Sequence, residues 1–513
     1  MSLVVFFGMC LLISGVTIRF SIALAGRFGI MDHPGGHKQH DTSTPFVGGV
    51  GVMTALIVAL YLAGLFFNLP SASLVQMRTI AVGAVVIFLT GLVDDIWNLG
   101  FKVRFLAQSV AALFMVFMGG VVLSDLGELL PGVSLALGLL AIPFTVFATI
   151  GVINAVNMID GIDGLSGALS LVSLILMAVV AYLAGQESHF ILIVALMGGV
   201  LGFLYYNLRY PANRRARVFL GDNGSMLLGF VFAWILIDLS QGVDRAMTPV
   251  TALWIFALPL MDTVGVMLRR IWLGKSPFRA DRNHLHHLFL RAGFRVSDTV
   301  YIIVGIQLVL GAVGITGMLL GIPDYMMFGF YLITFAVYFY VVARPWRFVP
   351  TLRKLHAYLG LPSALAQGIF IGYVPRASAQ IFLHALTRAL GRHHDYHLSL
   401  HEMNHETRGG RSVYAVLDMH CSDDDVSLNG VKRLISVLRK RLANQEGIQI
   451  RQFVRRRPET ETATDTLFDK DRRAGYASLE DNSPGIDRRY QQNKTLIYPT
   501  VKSPEIGSSG VPV

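Results

Sequence analysis

Apolar runs close to the roughly 20 residues that a helix needs to cross a bilayer recur through the first two thirds of the chain. They lie near residues 3–25, 46–67, 79–93, 105–123, 134–157, 164–184, 190–207, 225–240, 248–268, 299–320 and 325–343, and predict eleven transmembrane helices. The third run is short for a span, and the fifth is long enough to tilt or break. Past residue 345 the runs stop. Residues 412–418 and 447–454 alternate as strands do, and 426–442 reads as an amphipathic helix with basic residues, together a β-α-β-like unit. From 457 onward Pro, Glu, Thr, Asp, Ser and Arg dominate, a composition that does not support a core. The expected fold class is therefore an all-α polytopic membrane protein of about eleven transmembrane helices over 1–345, a small cytoplasmic α/β domain over 346–457 and a disordered tail over 458–513. The first run begins almost at Met1, lacks a basic flank before it and shows no small-residue cleavage pattern, so it reads as a retained helix and not a signal peptide.

Composition agrees with a membrane protein: of 513 residues 53% are hydrophobic and only 15% charged, with a mean hydropathy of +0.56. Two cysteines, Cys10 and Cys421, give no support to a disulfide framework or a thiolate metal site. Charge then orients the helices, because Lys and Arg accumulate in cytoplasmic loops. One set of loops holds Arg27 and Lys38; Lys102 and Arg104; Arg209, Arg214, Arg215 and Arg217; and a last stretch from Arg269 and Arg270 through Lys275, Arg279, Arg282 and Arg291 to Arg295. The alternate loops hold only Arg78 and Arg245. The N-terminus is thus expected outside and the C-terminal tail inside.

Carboxylates gather at the cytoplasmic ends of these runs, where a charge too costly for lipid points to function. Asp94 and Asp95 close the third run, seven or more residues before Lys102 and Arg104. They read either as a pair that manages a phosphate nucleophile with its proton or metal, or as a solvated helix end paired with Lys102. The turn from Gly221 through Asp222, Asn223 and Gly224 to Ser225 allows close backbone approach to phosphate while one carboxylate reaches a hard cation. Asn154, Asn157, Asp160 and Asp163 recur every three residues. On a helix that spacing forms one stripe, suited to a metal shell, a nucleobase edge, or a polar seam between helices. The largest loop carries His284, His286 and His287, read as phosphate-binding imidazoles with zinc as the competitor. Asp262, inside the ninth run, is either a packing carboxylate or a back-wall residue of the site.

Taken in order, Asp32-His33-Pro34 with Lys38, Asp94-Asp95, the segment 154–165, Phe219 to Asp222, and Ser276-Pro277-Phe278 through Asp281 to His287 resemble the polyprenyl-phosphate N-acetylhexosamine 1-phosphate transferases, most closely the WecA type and less the MurNAc-pentapeptide transferase (MraY) branch. The resemblance covers roughly residues 1–345. It implies transfer of a sugar 1-phosphate, most simply GlcNAc 1-phosphate, from a UDP-N-acetylhexosamine to undecaprenyl phosphate in the bacterial inner membrane. UMP is released, and the lipid-linked product starts a surface polysaccharide or O-antigen. It further implies that Asp222 holds Mg²⁺, or Mn²⁺ in its place, with Asn157. Asp94 and Asp95 position or deprotonate the lipid phosphate, Phe219 and Asp163 meet uracil, and His284, His286, His287 and Arg282 meet the donor's sugar and phosphates. Lys38, Asn154 and Asp160 complete the expected substrate contacts. No nucleic-acid partner is expected; a homodimer or a downstream glycosyltransferase bound through the C-terminal domain is. The competing classes are a transporter of an anionic substrate and a catalytically inactive membrane scaffold.

Overall fold

The computed structural model describes residues 2–32, 44–213, 215–276, 283–361, 365–375, 396–407, 410–420 and 451–456. The chain divides into two units: Met1–Leu288 with Val296–Phe348, and Phe289–Arg295 with Val349–Val513.

The first unit is a helical bundle. Its helices are α1 (Leu3–Phe28), α2 (Gly48–Phe66), α3 (Ser71–Trp97), α4 (Phe101–Gly119), α5 (Ala141–Ile159), α6 (Leu165–Leu183), α7 (Glu187–Asn207) and α8 (Gly221–Ser240). The short α9 (Pro249–Ile255), α10 (Ala257–Trp272), α12 (Val296–Leu319) and α13 (Asp324–Ala343) follow, and the loop-borne α11 (Leu285–Ala292) begins in this unit and runs into the second at Phe289. Among the described residues ten helices are long and apolar enough to span a membrane, or eleven if the bent pair α9 and α10 counts as one. This is a multi-pass membrane protein. At the centre stands α8, with 94% of its apolar window buried; α1 and α13, at 22%, lie on the periphery and turn side chains such as Phe20 and Ile333 outward. Small residues set the close approaches: a Cβ on Gly229 of α8 would lie 2.5 Å from the Ile153 Cα of α5.

Three of the expected runs take a different shape. α3 is 27 residues long and starts at Ser71; its polar first turns hide the helix from an apolar ruler, and Gln76 finds a partner in Asp238 at the far end of α8. The run at 134–157 begins in the second strand of a hairpin and continues into α5. Strands β3 (Asp125–Leu130) and β4 (Val133–Ala136) pair antiparallel, after a two-residue pair, β1 (Met31–Asp32) with β2 (Thr44–Pro45). Gln241, just past α8, accepts from the Ser124 and Asp125 amides at 2.9 and 3.1 Å and donates to the Asp125 carbonyl, tying the hairpin down. The run at 248–268 is broken by 84° between α9 and α10. A break in a membrane helix frees backbone groups that need partners. Gln307 of α12 supplies both: its amide donates to the Ile255 carbonyl at 2.6 Å and accepts from the Leu258 amide at 2.8 Å.

In the second unit, the strands β5 (Leu365–Pro375), β6 (Tyr396–Thr407), β7 (Gly410–His420) and β8 (Arg451–Arg456) follow the helix α14 (Pro345–Tyr358), which begins in the first unit. They form one antiparallel sheet in the order β6-β7-β5-β8. The strands expected at 412–418 and 447–454 correspond to β7 and to the overlapping β8. They are not neighbours, because β5 lies between them, giving the strand order of a split β-α-β arrangement. β5 and β6 were not expected from the sequence. The helix at 426–442 and the tail at 458–513 lie outside the described residues.

The Gln307 arrangement yields an expected outcome. Gln307→Leu leaves the Leu258 amide without its partner, at about 1–3 kcal/mol for a buried group, and leaves the Ile255 carbonyl with only the 3.2 Å bond from the Ser173 hydroxyl. The thermal midpoint in detergent should fall, and an unchanged midpoint would mean that the bend is supported by something else.

Candidate active site

α3 ends, α8 begins and α5 ends at one place, and the carboxylates expected to do chemistry meet there. Gly221 sits at φ 76°, a left-handed conformation that suits glycine, and a Cβ on it would lie 2.7 Å from Asp95 Oδ2. Gly91 similarly lets α3 lie against the backbone of Asp222 and Asn223. Through this gap Asp95 reaches the head of α8: Oδ1 accepts from the Asp222 amide at 2.9 Å and Oδ2 from the Asn223 amide at 3.0 Å. The Asn223 side chain donates to the same carboxylate and to the Phe46 carbonyl. The first N–H groups of a helix lack intrahelical partners; here a neighbouring helix caps them.

Asp94, only 4% exposed, turns the other way and accepts from Arg104 Nη1 at 2.9 Å. The same nitrogen lies 3.5 Å from Asp222 Oδ2, so one guanidinium bridges two carboxylates. Lys102, the expected partner, is exposed. The tight α3–α4 connection, with Asn98 at φ 51°, brings Arg104 back instead. Asp222, about a third exposed, accepts at Oδ1 from the Asn157 amide at 2.6 Å, and Asn157 also donates to the Ser225 hydroxyl at 3.0 Å.

The expected polar stripe does not form, because α5 ends at Ile159 and Asp160 is its C-cap. Asn154 faces α4, donating to Gln108 at 2.9 Å. Asp163 accepts from Arg209 Nε at 2.7 Å and from the Ala216 amide. Asn207 clamps the adjoining turns through the Gly164 amide and the Val218 carbonyl. Phe219 lies across from Phe46, ring centroids 6.1 Å apart, and pairs through its backbone with Pro45 and Gly48. Burial, followed by the charges of Asp95 and Asp163, pushes the Asp160 carboxyl up to about 7.

Of the histidines, His284 Nδ1 lies 2.8 Å from Asp262 Oδ2. His286 stacks 5.7 Å from His284 and packs over Gly161, where a Cβ would come within 2.5 Å of its Nε2. Both His286 ring nitrogens are buried with no hydrogen-bond partner among the described residues. Burial, then the neighbouring His287 and His284 charges, holds it well below the usual histidine range. His287 adjoins it at 4.2 Å between centroids. Lys38 and Arg282 lie outside the described residues. Arg104, Arg209 and Asn207 were not singled out as site residues from the sequence; only the basic loop charge hinted at the arginines.

Among the described residues no three His, Cys, Asp or Glu side chains are grouped to hold a metal. Mg²⁺ does not require three, since it binds through one or two carboxylates plus waters and substrate phosphates. Asp222, the Ser225 hydroxyl and the Asn157 amide, whose oxygen and nitrogen exchange by a flip, offer hard oxygen donors that fit such an ion.

The multi-pass helical bundle thus carries an arginine-bridged acidic site where its helices end. The family model described as glycosyl transferase family 4 matches residues 77–240, which include Asp94, Asp95, Asn157 and Asp222, and the chain belongs to that family. It is 36% identical over 333 residues to an undecaprenyl-phosphate alpha-N-acetylglucosaminyl 1-phosphate transferase of Haemophilus influenzae, covering 65% of this chain and 92% of that protein. Proteins of the same name from Pasteurella multocida and Escherichia coli K12 are 35% and 34% identical, covering 93% and 90% of their lengths and 66% of this chain in each case.

Two outcomes follow from the geometry. Asp95→Ala strands two backbone donors of α8 and should cost about 1–3 kcal/mol of stability, whereas Asp222→Asn should leave the thermal midpoint unchanged or raised; equal losses in the two would contradict the capping role. For Asp160, protonation favours the fold. That contribution is complete below the unfolded carboxylate value of about 3.9 and is lost as pH rises through about 7. In protein free of substrate and divalent cation, Asp160→Asn should therefore raise the midpoint at pH 8.5 and not at pH 5, and an equal gain at both would contradict the shift.

Proposed function

We propose that this protein transfers GlcNAc 1-phosphate from UDP-GlcNAc to undecaprenyl phosphate, releasing UMP, at the cytoplasmic side of the bacterial inner membrane. The observation that carries this reading is Asp94 and Asp222 sharing Arg104 beside Asn157 at the converging ends of three helices. The names of the relatives supply the acceptor and the transferred group.

The reaction brings one anion onto another. An acceptor phosphate oxygen attacks the donor's β-phosphorus, the bond to the bridging oxygen breaks, and UMP leaves with that oxygen. The anomeric carbon is untouched, so no glycosidase-type pair of carboxyls is needed. What the chain must supply is charge and position. Asp222 and Asn157 would hold Mg²⁺ or Mn²⁺, which when bound neutralises charge on the diphosphate. Arg104, partly exposed and tethered by buried Asp94, offers a second positive group. Asp94 would position or deprotonate the acceptor phosphate. Asp95 fixes the helix head that carries Asp222. Phe219 and Asp163 would meet the uracil, and His284, His286, His287, Lys38 and Arg282 the sugar and phosphates, with Asn154 and Asp160 shaping the floor. Transporter sites gather near the bilayer midplane, whereas these residues sit at helix ends, which favours the enzyme.

The lipid-linked product would begin a surface polysaccharide, and the sheet-bearing C-terminal unit is a candidate docking element for a second copy or a downstream glycosyltransferase. Purified protein with undecaprenyl phosphate, Mg²⁺ and UDP-GlcNAc should release UMP. A chelator should abolish release, and Asp222→Asn should lower it about 10²–10³-fold, the size of effect seen when one charge-stabilising group is lost. No release with any UDP-amino sugar from well-folded protein would sink the reading.

A further inference from the structure

Two arginines of α1 have no part in the proposed mechanism. Arg19, Ala23 and Arg27 are exposed, and their i, i+4, i+8 spacing sets them in one stripe of the helix surface, with the alanine between the two cations. The surface around them is apolar: Val16, Phe20 and Leu24 are turned outward, as suits a helix with only 22% of its apolar window buried. Neither guanidinium has an ion pair or hydrogen bond among the described residues.

Depth decides what this stripe meets. α1 has 26 residues and is about 39 Å long, more than the roughly 30 Å of hydrocarbon a span must cross, so its last turn, with Arg27, reaches the headgroup layer. Arg19 lies roughly 13 Å short of that end. A Cβ on Gly51 of α2 would lie 2.4 Å from Ile18 Cγ1, and one on Gly48, a turn nearer the candidate active site, 2.8 Å from the Phe219 carbonyl oxygen. Arg19 thus sits about one turn deeper in the bilayer than that site. A cation facing lipid there is costly. Escape to water along the helix is hindered, because Cα–Cβ bonds tilt toward a helix N-terminus, for Arg19 away from the nearer surface. Arg78, early in α3, is the contrast, since the same tilt carries it toward its nearer end. In Arg27 the tilt leads back toward Ala23.

A group drawn in over Ala23 is therefore within reach of both long side chains. Guanidiniums bind phosphate through paired N–H donors, and two of them match a headgroup of net negative charge, whereas a zwitterionic one brings its own cation. We propose that the stripe Arg19, Ala23 and Arg27 is a binding site for an anionic phospholipid, with the headgroup phosphate over Ala23 between the two guanidiniums. The occupant is a resident lipid and not the polyprenyl acceptor, because a phosphate held on α1 is not presented to Asp94 and Asp222, which stand on α3 and α8. The proposal needs only a membrane-spanning α1 and is independent of the transferase reading.

The test titrates full-length protein in detergent with phosphatidylglycerol, phosphatidylcholine or undecaprenyl phosphate and counts bound lipid by native mass spectrometry. Phosphatidylglycerol should bind more tightly than phosphatidylcholine, and Arg19→Leu and Arg27→Leu should each weaken its binding about fivefold, the effect of one basic residue beside an anionic lipid surface. Equal binding of the two phospholipids, variants that bind as wild type does, or an equal loss in Arg78→Leu would overturn the proposal. So would undecaprenyl phosphate that displaces phosphatidylglycerol and binds more tightly through Arg19. Both leucines would face lipid, so the variants should fold. If either does not, wild type decides, with a phosphatidylglycerol that carries a photoreactive group in its headgroup: labelling should map to α1 near Ala23, and labelling that leaves α1 untouched would overturn the proposal.

Discussion

Backbone and side-chain donors at the head of α8 converge on a carboxylate that belongs to α3. The N-terminus of a helix carries a partial positive charge and unsatisfied N–H groups, and a carboxylate at the end of a neighbouring membrane helix carries a charge that lipid cannot solvate. Each resolves the other's difficulty. Once Asp95 is so engaged, Asp94 is directed towards Arg104, and Asp222, the second residue of α8, is brought between Arg104 and Asn157. The spacing of the acidic groups follows from that one contact, and the glycines at 91 and 221 are what let the helices come close enough to make it.

Much of the bundle could be read from apolar length, because a span in lipid has little choice but to be helical. What escaped that reading has physical causes. The start of α3 is polar, and its Gln76 is satisfied by a residue distant in sequence. The bend between α9 and α10 depends on Gln307, which belongs to another helix. The hairpin β3–β4 is too short for its alternation to stand out from an apolar run.

For the site, the acidic motifs were legible as motifs, but their division of labour was not. Nothing in two adjacent aspartates says that one faces a helix head and the other an arginine. Spacing along the sequence favoured Lys102, whereas the turn at Asn98 selected Arg104. The regular spacing of Asn154, Asn157, Asp160 and Asp163 suggested one face, but the helix stops before the stripe is complete, and three of those side chains find separate partners: Gln108, Asp222 and Arg209.

The sheet of the second unit has a temporal consequence. Its inner strand β5 is the first made, yet its neighbours β7 and β8 emerge later, and β8 last of all. Helical spans can form as they leave the ribosome, since their contacts begin within the segment itself, but loops must close over long stretches of chain before β5 is paired on both sides. Until the ribosome has passed residue 456, β5 presents an open edge, and such edges invite pairing with other chains. Closure of this sheet thus waits on β8, the last-made of its strands.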